Sequence, residues 1–517
     1  MYKLGIDVGG TNTDAVLIDE NLQVVASVKQ HTTANIYDGI LNAVRAVLEQ
    51  SGVKRSEIRQ AMLGTTQCTN AIVARKGLAP IGVLRIGAPA SRGIPLMVDW
   101  AEDLKTIAVK TAIVGGGFEY DGKEIAPFDA EAARAFFAEL KAKAVKSVAI
   151  SCVFSTVRND HELEAAKLCR EVMGEDVHVS ISSEIGSMGL IERENATILN
   201  AALYQVAESF TEGFAQSLAD EGVTNAQVYL SQNDGTLMTM DYARRYPILT
   251  IACGPTNSIR GACYLSQLKN AVVIDVGGTT TDLGVIQNGF PRESGVAVTI
   301  GGVRTNFRMP DVVSIGLGGG SIVRQRADGA VTVGPDSVGY QITEKALCFG
   351  GDVCTATDIA VRLGMTELGD KRLVAHLDEA FAQKAMDAIR TLCEDSIDAM
   401  KVSSEDVDVI LVGGGSIILP GDLAGARSVT QHEFGGVANA IGSAISKVSG
   451  TYEQLIDYDK IPRDQALAQA RADAIELAVA AGAIRETVEI IDAEDVPLQY
   501  YPGNTARVKI KAAGDLA

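Results

Sequence analysis

Ile6-Asp7-Val8-Gly9-Gly10-Thr11-Asn12-Thr13-Asp14 returns almost unchanged as Ile274-Asp275-Val276-Gly277-Gly278-Thr279-Thr280-Thr281-Asp282, with Asn12 against Thr280 as the one difference. Each copy closes an apolar run, Leu4-Gly5-Ile6 or Val272-Val273-Ile274, and opens another at 15–18 or 283–286. That pattern predicts strand, tight Gly-Gly turn, strand, with an aspartate at the end of the first strand. One such hairpin in each half predicts a duplicated fold with a nucleotide held between the copies.

The bulk properties narrow the class. A chain of 517 residues exceeds a single core and predicts two or three domains. Its net charge of −19 argues against nucleic-acid and anionic-membrane partners, whose phosphates would be repelled. A nucleotide site remains compatible, because a bound cation and local backbone dipoles outweigh the global charge there. Met1-Tyr2-Lys3 leads into a strand without an apolar leader, and no uncharged apolar run reaches the roughly 20 residues of a membrane span. Cys68, Cys152, Cys169, Cys253, Cys263, Cys348, Cys354 and Cys393 show no CxxC spacing, as expected of reduced thiols rather than a disulfide frame or zinc site. The expectation is a soluble cytoplasmic protein.

Periodicity predicts an N-terminal half over 1–190. Three strands (2–8, 13–19, 24–29), a helix (36–50), a strand (60–64), a helix (69–76) and a strand (81–86) give the order of a ribonuclease-H-like half. Residues 88–127 read as an irregular insertion, followed by alternating helices (129–143, 159–173) and strands (147–153, 177–180). A second half is expected over 191–450. It comprises a long helix to 220, a strand at 227–230, a helix at 254–266 opened by Gly254-Pro255, the second hairpin, a helix at 376–400, a strand at 407–412 and a helix at 436–447. The remainder, 451–517, reads as a small C-terminal α/β unit.

The hairpins carry the candidate chemistry. Gly-Gly followed by Thr-x-Thr places backbone amides and hydroxyls at one turn, a nest for oxyanions. Asp7 and Asp275 would face the same oxygens, which calls for a hard cation between them; Mg²⁺ with retained waters is the usual solution. Asp14 and Asp282, on the return strands, either orient a metal-bound water or substrate, or satisfy turn amides. A third element, Val412-Gly413-Gly414-Gly415-Ser416, lets a flat group lie against backbone, and Gly316–Ile322 repeats the composition. GxxxxGK[ST], HExxH, GxSxG and the protein-kinase motifs are absent from the sequence.

These motifs resemble the phosphate-1, phosphate-2 and adenosine motifs of the actin/sugar-kinase/heat-shock-chaperone ATPases. More narrowly, the chain is similar to the hydantoinase/5-oxoprolinase A family, through residues 64–77, Cys253-Gly254-Pro255, 316–322, 334–339 and 355–360. Leu63 stands where family members commonly carry His. The resemblance implies an actin-like ATPase fold and ATP-dependent opening of a cyclic amide (a hydantoin, 5-oxoproline or another lactam), with a possible second, B-type subunit and an oligomeric assembly. It implies that Gly9, Gly10, Thr11, Thr13, Gly277, Gly278, Thr279 and Thr280 cradle phosphates, and that Gly413, Gly414 and Gly415 border adenosine. Asp7 and Asp275 would hold Mg²⁺, with Asp14 and Asp282 beside them. Thr65, Thr66 and Asn70 either line the substrate side or open a helix. Arg304 and Arg308 read as a solvated loop or as phosphate contacts. A small-molecule kinase and a non-enzymatic ATPase remodelling a partner are the alternatives, because the cleft is common to all three.

Overall fold

The computed structural model describes residues 1–10, 12–32, 36–294, 297–307, 309–498 and 503–516, without the side chains of His31 and Ile36. Thr11 and Arg308 therefore lie outside the described residues.

Each hairpin is the kernel of its own mixed sheet. Tyr2–Val8 pairs antiparallel with Asn12–Ile18 and parallel with Ile58–Thr65. Ala271–Val276 pairs antiparallel with Thr281–Gln287 and parallel with Val407–Val412. Apolar side chains dominate both central strands, where Leu4, Ile6, Val272 and Ile274 are buried. The turns close alike: the amide of Gly9 donates to Asn12 O, and that of Gly277 to Thr280 O, each at 2.9 Å. The architecture is the duplicated ribonuclease-H-like, actin-like fold.

Other segments settle differently from their expected places. Ile81–Ala88 does not complete the first sheet. It joins Ala108–Gly115, Ser147–Cys152 and His178–Ile181 in a separate, parallel four-stranded sheet. The stretch 88–127, expected as an irregular insertion, is mostly turns and loop, but it also holds the short helix Glu102–Lys105 and the edge strand Ala108–Gly115. That strand was illegible because its half-buried residues, Lys110 among them, show no clean apolar alternation. The place beside Ile58–Thr65 goes to Gln227–Ser231, expected in the second half. The long helix is interrupted at Leu203 into Leu190–Ala202 and Tyr204–Asp220, and every residue from Arg193 to Ala202 is buried.

The boundary expected near 451 is crossed by a strand. Lys447–Asp457, Thr505–Gly514 and Glu489–Pro497 extend the first sheet to nine strands. Helix Arg463–Ala480 lies on this extension through Ala466, Ala470, Ala474 and Ala478. The nine-stranded sheet therefore joins strands from 2–65, 227–239 and 447–514, and the six-stranded sheet draws on 271–431.

Two helices carry the chain between those two sheets, Cys253–Ser266 outward and Ala438–Ile445 back. Their backbones nearly touch: a Cβ on Gly261 would sit 1.9 Å from Ala438 O, and one on Gly442 1.8 Å from Asn257 O. A Cβ on Gly5 would likewise meet Ala440 O at 2.3 Å. Only glycine permits that approach, and the approach brings both helices onto the first hairpin. Pro255 occupies the third helical position rather than the first, still inside the turn whose amides lack intrahelical partners. Among the described residues no helix is long and apolar enough to cross a membrane.

Candidate active site

Cross-strand register arranges the site into two matching rows. In the first half Gly64, Asp7, Asp14 and Lys29 are successive partners across four adjacent strands. In the second, Val412, Asp275, Asp282 and Ser314 occupy the corresponding places. Directly paired residues share a sheet face, so each aspartate pair projects from one face at the turn end of its hairpin. Thr13 and Thr281 point the other way. Thr13 contacts Thr32, whose hydroxyl donates to Gly9 O at 2.8 Å, and Thr281 donates to Leu317 O at 2.7 Å. Thr13 thus braces its turn from behind.

Glycine makes room for both metal-binding candidates. A Cβ on Gly64 would lie 2.3 Å from Asp7 Oδ1, and one on Gly413 2.3 Å from Asp275 Oδ1. Gly413 also needs its left-handed backbone, with φ of +84°. Its run folds onto the second turn, with the Gly415 amide donating to Val276 O at 2.8 Å. From the other side Gly319 and Gly320 donate to the carbonyls of Gly277 and Gly278 at 3.0 and 2.8 Å. The weaker Gly-rich run near 316–322 therefore buttresses the second turn. Gly10 and Gly414 have nothing within 4 Å of where a Cβ would stand, as expected of backbone bordering open space.

Three residues missed in the sequence complete the site. Asn439 Nδ2 donates to Asp7 Oδ2 at 2.9 Å, and Asn257 Nδ2 lies 3.4 Å from Asp7 Oδ1. Ser258, the next residue along, donates to Asp275 Oδ2. Burial, then the charge of Asp14, pushes the Asp7 carboxyl up to about 6; the two asparagines oppose this and Asp275 adds to it. Asp282 is also pushed up to about 6, by burial first, with Ser314 opposing and Asp275 adding. Burial raises Asp275 against the Ser258 hydrogen bond. It also raises Asp14, opposed by Lys29, whose Nζ lies 2.6 Å from both carboxylate oxygens.

This donor set fits a hard, partly hydrated cation. Among the described residues no three His, Cys, Asp or Glu side chains converge on one point. Mg²⁺ takes one or two carboxylates and fills its octahedron with water and phosphate oxygens. Asn257 Oδ1, buried beside Asp7 without a partner, is a further acceptor toward such a shell.

The proposed substrate residues adjoin the first hairpin. Val8 pairs with Thr65, and Val8 O accepts from the Thr66 amide at 3.3 Å. Thr65 Oγ1 accepts from the Gln67 amide, and Asn70 Nδ2 donates to Thr66 Oγ1 at 3.2 Å, so these hydroxyls help to open helix Gln67–Ala74. Asn70 itself is exposed. Leu63 is buried in the apolar core. Arg304 pairs with Glu192 at 3.3 Å on the surface.

Comparison with known proteins supplies the family. Residues 3–173 match the hydantoinase/oxoprolinase N-terminal region, and residues 193–401 match hydantoinase/oxoprolinase. The caprolactamase subunit alpha of Pseudomonas jessenii is 28% identical over 412 residues, covering 75% of this chain and 58% of that protein. The acetone carboxylase beta subunit of Xanthobacter autotrophicus is 23% identical over 433 residues, covering 76% and 58%. The crystal structure of the ATP-dependent caprolactamase from Pseudomonas jessenii superposes with a TM-score of 0.79 at 20% identity, over 99% of this chain and 87% of that one, a likeness of fold. The chain spans 53% to 62% of the length of three curated relatives. Two consecutive family matches, covering most of a fold that carries the hairpin twice, place the chain in the hydantoinase/oxoprolinase family.

Proposed function

We propose that the chain binds Mg-ATP between the two rows and uses it to phosphorylate the amide oxygen of a cyclic amide (a hydantoin, 5-oxoproline or another lactam), committing the ring to hydrolysis. The observation that carries this reading is that Asp7 and Asp275, at corresponding places beside Gly64 and Gly413, are both held by one helix through Asn257 and Ser258. Amide resonance makes the carbonyl a poor electrophile and the C–N bond hard to break. Transfer of the γ-phosphoryl group to that oxygen removes the resonance, forming the P–O bond to substrate as the bond to ADP breaks.

For such a transfer the protein positions groups and neutralises charge. Gly10 and Gly278 present backbone to the phosphates at turns closed by the Gly9 and Gly277 amides, with Thr279 and Thr280 exposed at the second turn. Asp7 and Asp275 hold Mg²⁺ or its waters, and the bound ion neutralises phosphate charge. Asn257, Asn439 and Ser258 fix the orientation of those carboxylates. Gly413, Gly414 and Gly415 border the nucleoside, and Thr65, Thr66 and Asn70 stand at the substrate side. The subunit names of the relatives support a second subunit and an oligomer in this case too.

Incubation of the pure protein, alone and with a co-expressed partner, with Mg-ATP and a panel of lactams, hydantoins and 5-oxoproline tests the reading. Ring opening matched mole for mole by phosphate release is the expected result. A stable phosphate ester from a sugar would make the protein a kinase. Carboxylation of a ketone with bicarbonate would align it with the acetone carboxylase subunit, and turnover stimulated only by another protein would make it a remodelling ATPase.

A further inference from the structure

The two rows share their central aspartate pairs and differ at both ends, Gly64 against Val412 and Lys29 against Ser314. Lys29 stands opposite Asp14, and Ser314 stands opposite Asp282. The rows together present Asp7, Asp14, Asp275 and Asp282 against the single cation Lys29. A polyphosphate entering between them meets severe repulsion, which one divalent ion only partly offsets. Lys29 Nζ is bound evenly, 2.6 Å from each oxygen of Asp14. The Asp14 side chain is only 2% exposed while that of Lys29 is 36% exposed. The carboxylate is thus a buried anchor, and the lysine side chain bound to it is the partly exposed member of the pair. Its ammonium has three donors, of which Asp14 uses two, leaving one for a ligand.

Direction follows from the second row. The glycine run at 413–415 wraps the Asp275 side of the cleft, so a nucleoside bordered there sends its phosphate chain toward the first half. Lys29, beyond Asp14 in that half, meets the terminal phosphate. We propose that Lys29 is a catalytic residue of phosphoryl transfer, donating to the γ-phosphoryl oxygens while anchored on Asp14. This rests on the Mg-ATP reading above. As the Pγ–O bond to ADP breaks and the bond to the acceptor oxygen forms, charge spreads over the equatorial oxygens, and a fixed ammonium stabilises it. The electron pair of the broken bond departs on ADP, and Lys29 keeps its proton throughout.

A purely structural Lys29 would serve only to neutralise buried Asp14. The variants Lys29→Met, Lys29→Arg and the double Lys29→Met/Asp14→Asn separate the two roles, since the double removes the buried charge together with its counterion. The full chain is assayed with Mg-ATP for nucleotide binding by calorimetry and for single-turnover phosphate release. The inference expects Lys29→Met and the double variant each to lose about 10²–10³-fold in the rate of release. It expects the Mg-ATP Kd to change by less than about tenfold, and Lys29→Arg to recover part of the rate. A double variant releasing phosphate at the wild-type rate would overturn the role of Lys29 and leave the ATP site standing. Wild-type protein that fails to bind Mg-ATP would overturn both.

Discussion

Asn257 and Ser258 are neighbours on one helix, yet they hydrogen-bond carboxylates from opposite halves of the molecule, Asp7 and Asp275. The helix Cys253–Ser266 that carries the chain across therefore also measures the spacing of the two candidate metal ligands. Loss of either contact should reach the site without touching a phosphate.

The first expectation concerns pH. Phosphoryl transfer through ionised Asp7 is present above about 6, where burial has moved its carboxyl, and is lost as pH falls through that value. The profile of kcat/KM reports the free enzyme and should show this acid limb. Asn257→Ala removes a donor to the ionised form and should move the limb upward by about half to one pH unit. An unmoved limb would detach Asn257 from Asp7.

A second expectation links activity to stability. Asp7 is raised in the folded protein, so between the unfolded and folded values the folded state binds the extra proton, and stability falls as pH rises through that window. Asp7→Asn should stabilise the nucleotide-free protein by about 1–3 kcal/mol at pH 8 and by almost nothing at pH 4. Urea midpoints at the two pH values read the difference. The same variant should abolish Mg-ATP hydrolysis.

The glycine run gives a paired expectation. Gly413→Ala must place a Cβ 2.3 Å from Asp275 Oδ1 at a φ of +84°. It should cost about 1–3 kcal/mol and nucleotide binding with it. Gly414→Ala meets nothing within 4 Å. It should change stability by less than about 0.5 kcal/mol and raise the Kd for ATP about tenfold if the nucleoside lies there. Equal affinity in Gly414→Ala and wild type would move the nucleoside elsewhere.

A fourth expectation tests the tie between the halves. Lys511, on the strand Thr505–Gly514, pairs with Asp234 at 2.9 Å and with Glu293 at 3.0 Å. Asp234 and Lys511 are almost fully buried, whereas Glu293 follows a strand of the second sheet. Lys511→Met leaves Asp234 without that counter-charge and should cost about 3–5 kcal/mol. A thermal-shift series with Asp234→Asn added should recover part of the loss.

The hairpins were legible because near-identical local patterns make matching turns, and apolar runs at 4–6, 15–18, 272–274 and 283–286 mark the strands on either side of them. The rows were half legible. Asp7, Asp14, Asp275 and Asp282 stand inside the repeated motif, but their lateral neighbours Gly64, Lys29, Val412 and Ser314 are set by register. Asn257 and Asn439 reach Asp7 from 250 and 432 positions away, and nothing local marks either residue. The inserted sheet escaped for a related reason. Ile81–Ala88 reads equally well as the end of one sheet or the centre of another, and only long-range pairing decides. The C-terminal segment was legible as an α/β unit, but neither the strand Lys447–Asp457 nor the continuity with the first sheet was.

The central claim is that the two rows form one clamp for Mg-ATP. Calorimetric titration of the full chain with a non-hydrolysable ATP analogue, with and without Mg²⁺, tests it most directly. The account predicts one nucleotide per chain, dependence on Mg²⁺, and loss of that dependence in both Asp7→Asn and Asp275→Asn. Mg²⁺-dependent binding of unchanged affinity in both variants would contradict it.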